Sequence, residues 1–242
     1  MFFTLIFTVL FYAAIIIFVG GLAFKIRQYW QTPAPLKIPT TPAPVTQSGV
    51  IYRMLKEVTI FESLFRSNKW IWLFGWCFHM GLFLVFARHL RYVVDWSWVA
   101  LIQPFGIYAG FLMIFGLSGL LARRFLVERI RYISSPSDYL MLILLIAIAG
   151  SGLLMKFAFH TSVIDVIDFV HGLLSFGFHI LPPDFLLYMH LLMVVGLMII
   201  FPFSKLLHAP GVFFSPTRNQ IDNPREKYHV APWAAKLGSD KE

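Results

Sequence analysis

The sequence predicts an all-α, polytopic membrane protein with five transmembrane helices, an N-terminus outside and a C-terminus in the cytoplasm. Of the 242 residues, 58% are hydrophobic and only 13% are charged, whereas about a quarter of the residues of a soluble domain are charged. The mean hydropathy is +0.73, and most basic residues are confined to segments between apolar runs. These observations exclude a soluble enzyme and a disordered chain.

Five apolar segments account for the predicted spans. Each is close to the ~20 residues that cross about 30 Å of hydrocarbon as a helix. Because backbone groups in lipid must be paired within their own segment, and the segments show no strand alternation, we expect helices. The spans are Phe2–Phe24, Trp70–Ala87, Trp96–Ala122, Tyr139–Phe159 and Phe185–Ser204. They belong to one predicted membrane domain over residues 1–242, with a cytoplasmic loop at 25–69, a periplasmic loop or helix at 160–184 and a cytoplasmic tail at 205–242.

The distribution of basic residues sets the predicted orientation. Seventeen of the 20 lysines and arginines lie in the 25–69 loop, the connection between the third and fourth spans, and the tail. The other three are Arg88, Arg91 and Lys156. Since cytoplasmic loops are enriched in Lys and Arg, the N-terminus is predicted outside. The net charge of +8 then reflects topology and attraction to anionic lipid rather than binding of nucleic acid.

Cysteine usage restricts the cofactors that this chain can hold by itself. Cys77 is the single cysteine, which excludes disulfides, Cys-ligated zinc and iron–sulfur clusters bound by this chain alone. The sequence has no Cys-x-x-Cys-His motif, so covalently attached haem is excluded as well.

Four histidines on the second and fifth spans are the main functional candidates. They are His79, His89, His190 and His208. Ionisable groups at membrane depth are costly and usually functional, and imidazoles without nearby carboxylates favour a metal such as iron. Because the two helices run antiparallel, we expect His89 to meet His190 near the outer side and His79 to meet His208 near the inner side. Each pair could hold one haem between two imidazoles.

Helical geometry leaves a mismatch between the two histidine spacings. At 1.5 Å per residue, His79 and His89 are about 15 Å apart along the axis, and His190 and His208 about 27 Å apart on one stripe. We expect inclined ligand axes and a kink at Pro202 to absorb the difference.

The alternative is that these histidines are polar interhelical contacts or snorkelling side chains. A histidine-based proton or metal transporter is the competing functional class, although the expected acids and repeats are missing.

The 10- and 18-residue histidine spacings on helices two and five resemble the gamma subunit of respiratory nitrate reductase. That family is a di-haem cytochrome b of the cell inner membrane that exchanges electrons between quinone and a cytoplasmic iron–sulfur partner. The resemblance implies two haems b, with His79 and His208 as axial iron ligands of the inner haem and His89 and His190 of the outer one. It also implies menaquinone or ubiquinone as substrate. Nitrate-reductase relatives carry a lysine in the outer part of helix three, where this sequence has Ala109.

Two stretches resemble more closely the M subunit of the dissimilatory sulfite-reductase-associated membrane complex (DsrM). The first runs from the proline segment Thr32–Pro44 through residues 61–65 and 78–82 to 89–92, and the second comprises residues 208–217, 222–226 and 231–233. This resemblance implies sulfur metabolism and a cytoplasmic iron–sulfur subunit of heterodisulfide-reductase type (DsrK-like) as partner. Other membrane subunits and a multihaem cytochrome c complete such a complex. A cytochrome b subunit of another respiratory reductase, of nitrate or heterodisulfide reductase type, is the alternative.

Polar residues on the outer side form a second group of candidates. Asp168, His171, Ser175 and His179 recur at helical spacing. We expect either a lid near the outer haem, where His171 or His179 takes quinol protons, or an interfacial helix with a wet side. His160 and His229 are predicted surface residues.

Two basic residues and one cytoplasmic segment complete the list. Arg88 and Arg91 flank His89 and are either contacts to haem propionates or helix-end anchors. In the 25–69 loop, the apolar rhythm of Val50–Phe65 predicts a surface helix after the extended proline segment. This loop is either a tether or a docking surface.

Overall fold

A computed structural model describes residues 1–223, in which helices are the regular secondary structure and no strand occurs. Five helices within this part are long and apolar enough to cross a membrane, which confirms the predicted fold class. The helices are α1 Phe2–Gln31, α2 Gln47–Thr59, α3 Glu62–Ser67, α4 Lys69–His89, α5 Ser97–Leu126, α6 Glu128–Ile133, α7 Pro136–Leu154, α8 Val163–Leu174, α9 Phe185–Ile200, α10 His208–Gly211 and α11 Pro216–Asn219.

Helices α1 and α5 run beyond the predicted apolar segments. Helix α1 ends at Gln31 rather than Phe24, and α5 ends at Leu126 rather than Ala122. Hydropathy marks where a helix leaves the hydrocarbon core of the membrane. The backbone hydrogen bonds of the helix continue beyond that point into the membrane–water interface. Lys25 and Arg27 on the last turns of α1 can reach polar surroundings from there.

Side-chain caps explain where two of the spans begin. The Asn68 Oδ1 accepts a hydrogen bond from the Ile71 N–H at 3.0 Å at the start of α4. The Asp184 Oδ1 accepts from the N–H groups of Leu186 and Leu187 at 2.9 and 3.2 Å at the start of α9. These acceptors satisfy N–H groups that have no partner within the helix.

The chain divides into two compact units, Met1–Phe18 with Ser63–Ile200, and Val19–Glu62 with the segment from Phe201 onward. In the first unit, α4 and α5 approach closely through glycines. A Cβ on Gly116 would lie 2.5 Å from the Phe74 O, and small residues of this kind let transmembrane helices pack backbone to backbone. One core cluster of this unit contains Phe78, Met113, Leu117, Leu145 and Ala149, and another contains Phe7, Val166, Phe169, Leu181 and Leu187.

In the second unit, the proline segment is bound to the residues around α11. The Thr40 N–H donates to the Thr217 O at 2.9 Å, and the Asp222 N–H donates to the Pro44 O at 2.9 Å. The Gln220 side chain donates to the Leu36 O at 3.0 Å and accepts from the Ile38 N–H at 3.0 Å. The segment from Thr32 to Pro44 is therefore a fixed part of a folded unit rather than a free tether.

The fifth span does not continue as one helix to His208, which corrects a prediction from the sequence. Helix α9 ends at Ile200, and two short 3₁₀ turns, Phe201–Phe203 and Lys205–Leu207, follow it. Ser204 between them is extended, with φ −112° and ψ 175°. The absence of an N–H on Pro202 weakens the helical ladder at this point. The single stripe assumed for His190 and His208 is therefore wrong, while the helix is interrupted at Pro202, where a kink was expected.

Two shorter helices also differ from the predictions. The expected helix Val50–Phe65 is divided into α2 and α3, and Phe61 between them has a φ of 53°. Helix α8 ends at Leu174, so His179 does not share its polar stripe. His179 instead packs against α8 from the following loop, because a Cβ on Gly172 would lie 2.7 Å from its Cδ2.

Candidate haem-ligand histidines

The two candidate histidines of α4 have the same local geometry. The His79 Nδ1 lies 2.7 Å from the Gly75 O, and the His89 Nδ1 lies 2.7 Å from the Val85 O. A carbonyl oxygen can only accept, so Nδ1 must carry the hydrogen in both neutral rings. The lone pair is then on Nε2, the nitrogen that remains for a metal.

The Nδ1 atom of His190 has its hydrogen-bond partner on a different helix. Its ring is buried, with 9% of the residue exposed, and its Nδ1 lies 2.8 Å from the Ser151 Oγ on α7. The Ser151 hydroxyl donates its one hydrogen to the Ile148 O at 2.9 Å. With that hydrogen on the Ile148 carbonyl, the Ser151 oxygen accepts from the His190 Nδ1–H, and Nε2 again carries the lone pair.

His208 follows the break after α9 and opens α10. Its Nδ1 lies 2.9 Å from the Lys205 O, which implies the same tautomer. It belongs to the second unit, whereas His79 belongs to the first, so the pairing of these two residues stays a prediction.

The shared tautomer separates the four predicted ligands from the other described histidines. Within residues 1–223, neither ring nitrogen of His160, His171 or His179 has a hydrogen-bond partner. His229 lies outside the described residues. Holding one imidazole nitrogen so that the other faces a metal is the usual arrangement around ligating histidines. No sequence pattern separated these four histidines from the others. The hydrogen-bond partner of each Nδ1 is a backbone carbonyl or a residue of another helix, and neither leaves a mark in the sequence.

The structure brings His89 and His190 to the same end of the first unit. His89 is the last residue of α4, and His190 lies in the second turn of α9. The Tyr92 ring lies 5.7 Å from the His89 ring, centroid to centroid.

Arg88 and Arg91 are held at this end by Gln103 of α5. The Arg88 Nη1 donates to the Gln103 O at 2.9 Å, and the Arg91 Nη1 donates to the Gln103 Oε1 at 3.3 Å. The Arg91 Nη2 donates to the Tyr92 OH at 2.9 Å, while the Arg91 Nε is buried without a hydrogen-bond partner. Neither guanidinium pairs with a carboxylate among the described residues. Two such cations at the edge of a membrane helix suit an anionic group.

The outer-side candidates lie close to this end as well. His171 lines an open depression of about 380 Å³ together with Val93, Leu174 and Ser175. Val93 follows His89 by four residues, so the depression adjoins the end of the second span. His179 lies outside this lining and packs against Gly172.

The donor set fits haem better than a bare metal ion. His89 at the end of α4 and His190 near the start of α9 have available Nε2 atoms, and two cations without acidic partners flank His89. This set suits bis-histidine iron with anionic propionates. No cluster of three or more His, Cys, Asp or Glu side chains that could hold a metal ion occurs in residues 1–223. Gly81 of α4 packs against the α5 backbone.

The described residues have the fold of a polytopic, all-helical membrane protein. The model of the nitrate reductase gamma subunit family matches residues 48–223, and the chain belongs to that family. A relative from Archaeoglobus fulgidus is 33% identical over 92% of this chain and 81% of its own length. One from Archaeoglobus profundus is 31% identical over 94% of this chain and 82% of its own. Both are named Hdr-like menaquinol oxidoreductase cytochrome b-like subunit. The predicted family is confirmed, while the closer resemblance to DsrM stays a prediction.

Proposed function

We propose that this chain is a di-haem b subunit that transfers electrons between the quinone pool and a cytoplasmic iron–sulfur subunit of a sulfur-metabolism respiratory complex. The observation that carries the proposal is the shared tautomer of His79, His89, His190 and His208, each with Nδ1 bound and Nε2 bearing the lone pair. The names of the relatives support quinone-linked electron transfer.

The histidines would act as two axial pairs. His89 and His190 are the proposed ligands of an outer haem, and His79 and His208 of an inner one. When bound, two haems b would supply one-electron chemistry at two depths of the membrane. Arg88 and Arg91 would bind the propionates of the outer haem, since the Arg91 Nε is buried without a partner.

Quinol would be oxidised at the His89 end of the first unit. The relatives favour menaquinol over ubiquinol by name. His171 is the proposed proton acceptor because it lines the depression beside Val93, and imidazole exchanges protons near neutral pH. His179, packed on Gly172, is the weaker candidate. Ala109 is buried at 3% exposure against α4, so it offers no polar group to a quinone.

The proposed orientation places the N-terminus outside and the C-terminus in the cytoplasm of an inner membrane. An electron moving inward is then opposed by the membrane potential, by about 2.3 kcal/mol per 100 mV for a full crossing. Quinol oxidation outside would release protons there, so the reaction would conserve energy.

The second unit is the proposed binding surface for the partner subunit. It contains the proline segment, α2, and the chain around α11, joined by the Arg218–Glu57 ion pair at 3.0 Å. The proposed partner is an iron–sulfur subunit of heterodisulfide-reductase type (DsrK-like), with other membrane subunits and a multihaem cytochrome c.

A haem assay tests the proposal directly. The purified protein should yield about two b haems per chain by pyridine haemochrome and no c-type signal. The His171→Ala variant serves as the matched control, because that ring has no bound nitrogen and should leave the haem content unchanged. A folded protein that binds no haem would overturn the proposal and favour a transporter.

A further inference from the structure

The fourth span, α7, carries none of the predicted ligands, yet it contacts one of them. The rings of His79, His89 and His208 are held by carbonyls three or four residues earlier in the chain. The His190 ring is instead held by Ser151, which lies 39 positions earlier on another helix. The orientation of His190 therefore depends on the packing of α7 against α9.

We infer that Ser151 is a positioning residue for the outer haem ligand, an inference that rests on the proposed function. The His190 Nδ1–H donates to the Ser151 Oγ at 2.8 Å, and the Ser151 hydroxyl donates to the Ile148 O at 2.9 Å. With the hydroxyl hydrogen on the Ile148 O, the Ser151 oxygen is the acceptor for the His190 Nδ1–H. Ser151 thereby holds Nε2 as the nitrogen that faces the metal.

Burial makes this contact specific. Ser151 is 6% exposed and His190 is 9% exposed, so water does not readily replace the serine as an acceptor.

Two consequences follow for the bound ligand. An acceptor on Nδ1–H increases the electron donation of an imidazole to iron, which favours the oxidised metal. Loss of the acceptor should therefore raise the reduction potential of the outer haem. Rotation of the ring should also change the low-spin ferric EPR signal, because that signal depends on the angle between the two axial imidazole planes.

The experiment compares the Ser151→Ala and Ser151→Thr variants of the holoprotein. S151A should raise the midpoint potential of one haem, shift its EPR signal and transfer that haem to apomyoglobin about 10-fold faster. The other haem should not change. S151T keeps a hydroxyl that can bond the preceding turn and should restore both the potential and the EPR signal.

The control variant His190→Ala separates the two possible failures. If S151A matches the wild type in potential and EPR signal while H190A loses one haem, the positioning role is wrong and the proposed function stands. If H190A retains both haems, the ligand assignment itself is wrong. A loss of stability in S151A without a change in either spectroscopic readout would show a purely structural role and would also overturn the inference.

Discussion

Gly81 of α4 lies so close to Met113 of α5 that a Cβ on the glycine would be 2.8 Å from the Met113 backbone nitrogen. The same atom would lie 2.9 Å from the Ala109 O. Helix α4 carries both His79 and His89, so this contact sets the depth and rotation of two predicted ligands.

Gly81→Ala should therefore separate α4 from α5, since the added methyl group meets rigid backbone rather than a flexible side chain. We expect a loss of about 1–3 kcal/mol of stability and a reduced haem content. Haem quantification and thermal unfolding in detergent measure both effects. Gly150→Ala on α7 is the matched control, because its Cβ would have nothing within 4 Å. Equal behaviour of the two variants would contradict the packing argument.

The ligand pairing makes a spectral prediction. His89→Ala and His190→Ala should remove the same haem component, because these two imidazoles lie at one end of the first unit. His79→Ala and His208→Ala should remove the other component. Redox titration of the α-band distinguishes the two haems. Loss of one component by both His79→Ala and His190→Ala would disprove the pairing.

Arg91→Gln should lower the reduction potential of the outer haem. Removing a cation beside the propionates favours the oxidised state, and loss of a charged hydrogen bond of about 1.5 kcal/mol corresponds to roughly 60 mV for one electron. The inner haem should titrate as in the wild type. Arg131→Gln on α6, at the opposite end of α5, provides the control. An unchanged outer potential would leave Arg91 as a helix-end anchor.

The orientation can be tested by cysteine labelling. Cys77 is buried, so an engineered cysteine should dominate the signal. Ser239→Cys should react with an impermeant maleimide only after permeabilisation, whereas Ser175→Cys, which is exposed in the chain after α8, should react in intact cells. The reverse pattern would invert every assignment of inner and outer sides.

The second unit should be needed for onward electron transfer. Deletion of Thr32–Pro44, or of the chain after Phe214, should weaken binding of the iron–sulfur partner while haem reduction by quinol continues. Each deletion removes one side of the hydrogen bonds that join the proline segment to residues 217–222.

A charge exchange provides a milder version of this test. Arg218→Glu should weaken the complex by breaking the ion pair with Glu57, and the double variant with Glu57→Arg should restore it. Copurification and stopped-flow oxidation of the haems report the two effects. Full onward transfer in both deletion variants would show that the partner binds elsewhere.

The sequence by itself determined the fold class, the family and the four candidate histidines. Hydropathy is summed over neighbouring residues, so the five spans follow from local composition. Residue spacing also marked out His79 and His89 on one helix. The predicted pairs, partner and orientation remain open to the experiments above.

Only the tertiary structure decided how these residues are held. The hydrogen bond between Ser151 and His190, the contact of Gly81 with Met113 and the clamping of the proline segment join residues far apart in the chain, so no local pattern predicts them. The division of Val50–Phe65 at Phe61 and the position of His179 beside Gly172 were predicted wrongly for a related reason. A prediction from apolar periodicity continues a helix until a residue such as proline or glycine interrupts the pattern. In the folded protein, contacts with other segments decide where the helix ends.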